Sequence, residues 1–174
     1  MRIDRRPSPN FNDRRQPVSI LVMHYTGMET GAAAIERLCD AEAGVSAHYV
    51  VEEDGRVLQL VDEDKRAWHA GRGAWRGCED VNSASIGIEI VNGGHDYGLP
   101  PYPDAQIEAV LALGLQIVAR HGIQPWDVIG HSDLAPERKA DPGERFPWRR
   151  LAEAGLGLWP GRAFAAPASG EIAQ

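Results

Sequence analysis

The sequence predicts an α/β fold, a central mixed β-sheet flanked by helices. Two observations carry this. Short apolar runs bounded by turn residues, at 20–23, 85–91 and around 128, alternate with segments of helical period, the longest at 104–121. An Asp54-Gly55 pair between the apolar runs 48–51 and 57–61 adds a hairpin to that alternation. Length and composition agree: 174 residues with 43% hydrophobic and 25% charged side chains suit one globular domain with a real core. No internal repeat is visible.

Residues 1–16 are polar, with two prolines and five arginines, and predict a surface coil. The domain is expected to span 17–160. A strand ends at His24. Thr30 or Gly31 opens a helix predicted to run to Ala43, with Ile35, Leu38, Cys39 and Glu42 on one stripe and Gly44 as its stop. The hairpin follows. Residues 62–84 show no clean period; they hold Trp68, His69, Gly71, Gly73, Trp75, Arg76 and Gly77, and so long a loop in a small domain is usually functional. Ser85–Val91 reads as a strand with Glu89 inside it, and 92–103 as a loop rich in Gly, Pro and Tyr. Asp104 caps a long helix with Ile107, Val110, Leu111, Gly114, Ile117 and Val118 inward, closed by Gly122. A strand at Val128 leads to His131, and a short helix is expected at Leu151–Ala154. The tail from Gly161, rich in Ala, Gly and Pro, is expected to be disordered.

The net charge of −7 argues against nucleic-acid binding, which wants a basic face. No run approaches the roughly 20 apolar residues of a transmembrane helix. Nor does the start of the chain hold the apolar stretch of a signal peptide, which points to the cytoplasm; the periplasm or envelope is the alternative if a leader was removed. Cys39 and Cys78 form no metal or redox motif. Cys39 reads as a small buried residue, and their pairing stays open.

Glu89 interrupts an apolar strand, where burying a carboxylate without a role is costly. It reads either as a proton carrier with a raised pKa or as a strand-edge glutamate facing solvent. Alternation puts it on the face opposite Ile88 and Ile90. His24 and His131 each end an apolar run, and Asp141 follows His131 by ten residues. Two imidazoles and a carboxylate are a three-ligand zinc set with one position left for water, although the spacing by itself forms no short motif.

The segments around these residues strengthen the case. Leu21-Val22-Met23-His24-Tyr25-Thr26, Ala67-Trp68-His69-Ala70-Gly71, Ser85-Ile86-Gly87-Ile88-Glu89, Gly130-His131-Ser132-Asp133-Leu134-Ala135-Pro136 and Arg138-Lys139-Ala140-Asp141-Pro142-Gly143 occur in that order. With Phe146-Pro147-Trp148 they resemble the zinc-dependent N-acetylmuramoyl-L-alanine amidases, a group sharing its fold with peptidoglycan recognition proteins. The stretches Ala74-Trp75-Arg76-Gly77 and Gly155-Leu156-Gly157-Leu158-Trp159-Pro160 bring it nearest to the bacterial broad-specificity and anhydro-muropeptide subgroup.

The resemblance implies zinc on His24, His131 and Asp141, and hydrolysis of the amide between N-acetylmuramic acid and L-alanine. It favours Glu89 as general acid/base and Lys139 as the cation facing the developing oxyanion. His69, Trp75, Arg76 and Asn92 are candidate substrate contacts, each with a structural alternative: loop core for Trp75, a surface charge for Arg76. His48 reads as a core imidazole or a support for the metal site, His95 as a loop residue and His121 as a helix C-terminal residue. Peptidoglycan fragments or muropeptides are the implied partners. A non-catalytic peptidoglycan-binding module is the rival reading, and a recycling enzyme for small anhydro-muropeptides shares the chemistry but not the substrate. The oligomeric state stays open.

Overall fold

A computed structural model describes residues 1–160. In chain order its elements are β1 (Ile3–Arg5), β2 (Phe11–Asp13), β3 (Ile20–Tyr25), α1 (Gly31–Cys39), β4 (Tyr49–Val51), β5 (Val57–Gln59) and β6 (Lys65–Ala67). Then come α2 (Val81–Ala84), β7 (Ser85–Ile90), α3 (Asp104–His121), β8 (Val128–Gly130), α4 (His131–Leu134) and α5 (Trp148–Glu153). The main sheet has the order β1-β5-β4-β7-β3-β8, and β2 and β6 form a separate two-stranded sheet. Pairing is parallel except for the β4–β5 hairpin, so the sheet is mixed, as the alternating pattern predicts.

Side-chain alternation divides the labour between the two sheet faces. Leu21 and Met23 of β3 and Ile86, Ile88 and Ile90 of β7 join Ile107, Val110, Leu113 and Ile117 of α3 in one apolar cluster. On the other face lie Ile20, Val22 and His24, beside Ser85, Gly87 and Glu89. That face carries α1 and two smaller apolar clusters, and it holds the polar chemistry. Gln106 of α3 is buried, and its Nε2 donates to Val51 O and Val91 O, tying the helix to the strand ends.

Several boundaries differ from expectation. Residues 1–16 are not all coil: β1 lies parallel to β5, and β2 is antiparallel to β6. Arg14 is anchored too, donating to the carbonyls of Glu63, Asn82 and Ser83. The first helix stops at Cys39, short of Ala43. Asp40 is extended, and its carboxylate accepts from Glu42 N to open a single 3-10 turn, Ala41–Ala43, which Gly44 ends at φ 61°. An aspartate that bonds its own following backbone competes with helix propagation. Consequently Glu42 is exposed and Cys39 only half-buried.

The 62–84 stretch contains β6 and α2, and Asp80 caps the latter through Ser83 N. Pro103, not Asp104, holds the cap position of α3, while Gly122 closes it at φ 67°. The last helix begins at Trp148 rather than Leu151. Both cysteines are free. Among the described residues no helix is long and apolar enough to cross a membrane. The tail expected to be disordered, 161–174, lies outside the described residues.

Candidate functional site

Three parallel strands bring the candidate ligands together. β7 and β8 flank β3, with His24 in register with Glu89 and Met23 with Gly130. His131, the residue after β8, therefore arrives next to His24 at the C-terminal ends of the strands, where open α/β sheets place their ligands. The following loop folds back through Ser132 N donating to Asp141 O at 2.9 Å, which sets Asp141 beside His131. The Asp141–Pro142 peptide is cis.

His24 Nδ1, His131 Nδ1 and Asp141 Oδ2 form a triangle with sides of 3.0, 2.9 and 3.1 Å, and all three residues are buried. The donor chemistry fits a cation. His131 Nε2 lies 2.8 Å from Ala70 O, and a carbonyl only accepts, so that nitrogen carries the proton. In its neutral form that ring turns its Nδ1 lone pair towards a carboxylate oxygen and a second imidazole nitrogen. Such a gathering of acceptors is unfavourable without a positive centre among them. A tetrahedral zinc with bonds of about 2.0–2.2 Å holds its donors roughly 3.3–3.5 Å apart, so the triangle needs to open by only a few tenths of an ångström.

Electrostatics point the same way. Burial pushes the Asp141 carboxyl up, but the adjoining His131 and His24 imidazoles outweigh it and leave the group below the usual carboxylate range. Burial lowers the His24 imidazole, with Asp141 opposing. Both shifts favour the deprotonated forms that bind metal. Glu89 behaves oppositely. Burial, and then the nearby Asp141 charge, raise its carboxyl well above the ordinary value, with Lys139 opposing. The residue as a whole is half-buried, yet Oε2 is shut off from solvent and has no hydrogen-bond partner. Its strand is internal to the sheet, which removes the reading of a strand-edge glutamate.

A cavity of about 550 Å³ opens over this group. Its lining includes all three candidate ligand residues, Glu89, Lys139, Arg138 and Arg37. Lys139 is held at its backbone by Ala135 O, 2.9 Å away.

The other candidates are placed differently. His69 is buried against His24, its Nδ1 3.0 Å from His24 Nε2, and it also lines the cavity. His48 lies behind it, accepting from Gly87 N at 3.0 Å. Asn92 is not among the lining residues: its Nδ2 donates to Pro100 O and its Oδ1 accepts from Gly94 N, so its polar atoms build the loop. Trp75 and Arg76 also lie outside the lining of this cavity. Trp75 Nε1 donates to Asp127 Oδ1 at 3.0 Å and Arg76 pairs with the same carboxylate at 3.7 Å. Trp75 faces a separate groove with Trp126, Trp148 and Trp159 along the free edge of β8, away from the ligand group.

Some residues near the site were not among the sequence candidates for it. Tyr25 and His95 line the rim, 3.0 Å apart, with Glu144 on the far nitrogen of His95. Asn82 and Ser85 sit beneath His69. Only the alternation Ser85-x-Gly87-x-Glu89, small and polar between isoleucines, hinted at such a layer.

Fold and site together define a class: a mixed-sheet α/β protein with a three-ligand group of the kind that holds a catalytic metal. Residues 14–144 match the family model described as N-acetylmuramoyl-L-alanine amidase. The chain belongs to that family. It is 41% identical over 155 residues to the N-acetylmuramoyl-L-alanine amidase AmiD of Escherichia coli strain K12, covering 82% of this chain and 55% of AmiD. It is 44% identical over 111 residues to the 1,6-anhydro-N-acetylmuramyl-L-alanine amidase AmpD of Enterobacter cloacae, covering 64% of this chain and 57% of AmpD. The chain thus spans little more than half the length of these two relatives. The fold superimposes on the E. coli AmiD complex with anhydro-N-acetylmuramic acid-L-Ala-D-gamma-Glu-L-Lys at a TM-score of 0.77 and 37% identity, covering 92% of this chain and 75% of that one.

Proposed function

We propose that this chain is a zinc-dependent hydrolase that cleaves the amide between N-acetylmuramic acid, or its anhydro form, and L-alanine in peptidoglycan fragments or muropeptides. One observation carries the reading. The His24–His131–Asp141 triangle and the unpartnered Glu89 carboxyl line the same cavity in a chain of the amidase family.

His24, His131 and Asp141 would hold the zinc. When bound there it acts as a Lewis acid, polarising the scissile carbonyl and lowering the pKa of the attacking water to about 7. Glu89 takes the proton that water gives up as it attacks and passes it to the departing alanine amine, so that one carboxyl serves as base and then as acid. Its raised proton affinity and its position next to His24 suit that exchange. Lys139 faces the developing oxyanion. Arg37, on the same wall, suits a carboxylate of a peptide stem, while Arg138 is tied to the carbonyls of Ala70 and Arg72.

The relatives' names support both an N-acetylmuramoyl and a 1,6-anhydro substrate, and product analysis separates the two. The zinc-loaded protein is incubated with intact sacculi and with soluble anhydro-muropeptides, each with and without chelator, and the products are read by mass spectrometry. Chelator-sensitive release of peptides beginning at L-alanine is expected, from the anhydro-muropeptides above all. No release from either substrate by zinc-loaded protein refutes the reading.

A further inference from the structure

Beneath the cavity, hydrogen bonds run from both ligand histidines to a single short segment. His24 Nε2 lies 3.0 Å from His69 Nδ1, and His69 Nε2 lies 3.2 Å from Ser85 Oγ. Ser85 Oγ in turn donates to Val81 O at 2.5 Å. A carbonyl can only accept, which gives the whole chain a direction. Ser85 spends its proton on Val81 O, so its oxygen accepts from His69 Nε2–H. The neutral His69 ring then offers a lone pair at Nδ1, and His24 must donate from Nε2–H. His24 is left with a lone pair on Nδ1, the atom that faces His131 and Asp141. The next residue does the same for the other ligand: Ala70 O accepts from His131 Nε2–H at 2.8 Å.

The segment is itself pinned. Asn82 Oδ1 accepts from His69 N at 3.0 Å and from Ala70 N at 2.8 Å. Space for the His69 ring comes from Gly87, where an added Cβ would lie 2.5 Å from His69 Cγ.

We propose that His69–Ala70, pinned by Asn82, is the positioning element that holds both histidines with Nδ1 turned to the metal, one through the His69 ring and the other through the Ala70 carbonyl. His69 is thus a positioning residue acting through His24. The proposal rests on the metal-site reading above and is independent of which substrate is cut.

The test compares His69→Leu, which keeps bulk but offers no acceptor, with His69→Asn, whose Oδ1 stands near the place of Nδ1. Zinc affinity is read by competition with a chromophoric chelator, and histidine tautomers by long-range 1H–15N NMR of the zinc-loaded wild type. His69→Leu should bind zinc about 10–100-fold more weakly, while His69→Asn should recover most of that loss. His24, His69 and His131 should all carry their proton on Nε2. Wild-type affinity in His69→Leu, or equal weakening in both variants, overturns the proposal. So does a proton on Nδ1 of His24, a result that decides the matter even if His69→Leu fails to fold. A zinc-loaded protein that cleaves no muropeptide would refute the proposed function and leave these readouts as they stand.

Discussion

Gly87→Ala places a methyl group where the His69 ring now lies. The added Cβ would sit 2.5 Å from Cγ, 2.6 Å from Nδ1 and 2.8 Å from Cδ2 of that ring. Carbon contacts settle at about 3.5–4.0 Å, so the imidazole has to retreat by roughly an ångström. It is buried, with the His48 ring 5.6 Å away and the His24 ring 5.1 Å away, centroid to centroid. Overpacking of this kind costs about 1–3 kcal/mol, and relief of a strand glycine's excess chain entropy offsets roughly 0.5–1 kcal/mol. A net loss near 1–2 kcal/mol lowers the melting temperature by about 3–8 °C in a domain of this size. The same displacement pulls His69 Nδ1 from His24, so zinc affinity should fall about 10–100-fold as well. Calorimetry of the metal-free protein reads the first effect and chelator competition the second. In a His69→Asn background the smaller side chain makes room, and Gly87→Ala should cost less there, a coupling that a double-mutant cycle isolates. Wild-type stability and affinity in Gly87→Ala, with no coupling, would refute the idea that Gly87 exists to seat the His69 ring.

Other consequences are as direct. His24→Ala or Asp141→Ala should leave a folded protein with no bound zinc and no amidase turnover; elemental analysis showing full occupancy would remove either residue from the ligand set. Glu89→Gln should keep zinc and lose about 10²–10⁴ in turnover, and wild-type rates would take Glu89 out of the mechanism. Glu63 tests the scaffold. Burial raises its carboxyl, but hydrogen bonds from Arg120, Tyr49 and His121 bring it down to about 2. A depressed pKa adds stability above the unfolded value near 4.3, and that stability drains away as pH falls towards about 2. Glu63→Gln should therefore cost up to about 3 kcal/mol in urea unfolding at pH 7, with the gap to wild type closing between pH 4.5 and 2; a gap independent of pH would contradict the assignment.

Much of this molecule is written locally in its chain. The period of 104–121, its closing Gly122, the Asp54-Gly55 hairpin and the apolar strands at 20–25 and 85–90 are visible because each depends on neighbours within a few residues. The candidate ligand trio stood out because each member sits inside a run that resembles the amidase family, though the runs are far apart. The strands at Ile3–Arg5 and Phe11–Asp13 were not visible. Their polar residues form strands only because β5 and β6, more than fifty residues away, supply the hydrogen-bonding edges. Loop side chains were hardest to read. Trp75, Arg76 and Asn92 carry the right chemistry for a substrate, but which side of a loop faces the cavity depends on partners such as Asp127 and Pro100, distant in sequence or set by the turn. His69 shows both sides of this. Its motif marked it out, while its proposed task, holding His24 from the space that Gly87 leaves for the His69 ring, exists only once β7 lies against β3. Composition and period thus set the class of fold, because it rests on short-range regularities, while the resemblance of five ordered segments pointed to the candidate ligand residues. The sheet register alone decided which polar groups meet, since a one-residue slip turns every strand side chain to the opposite face.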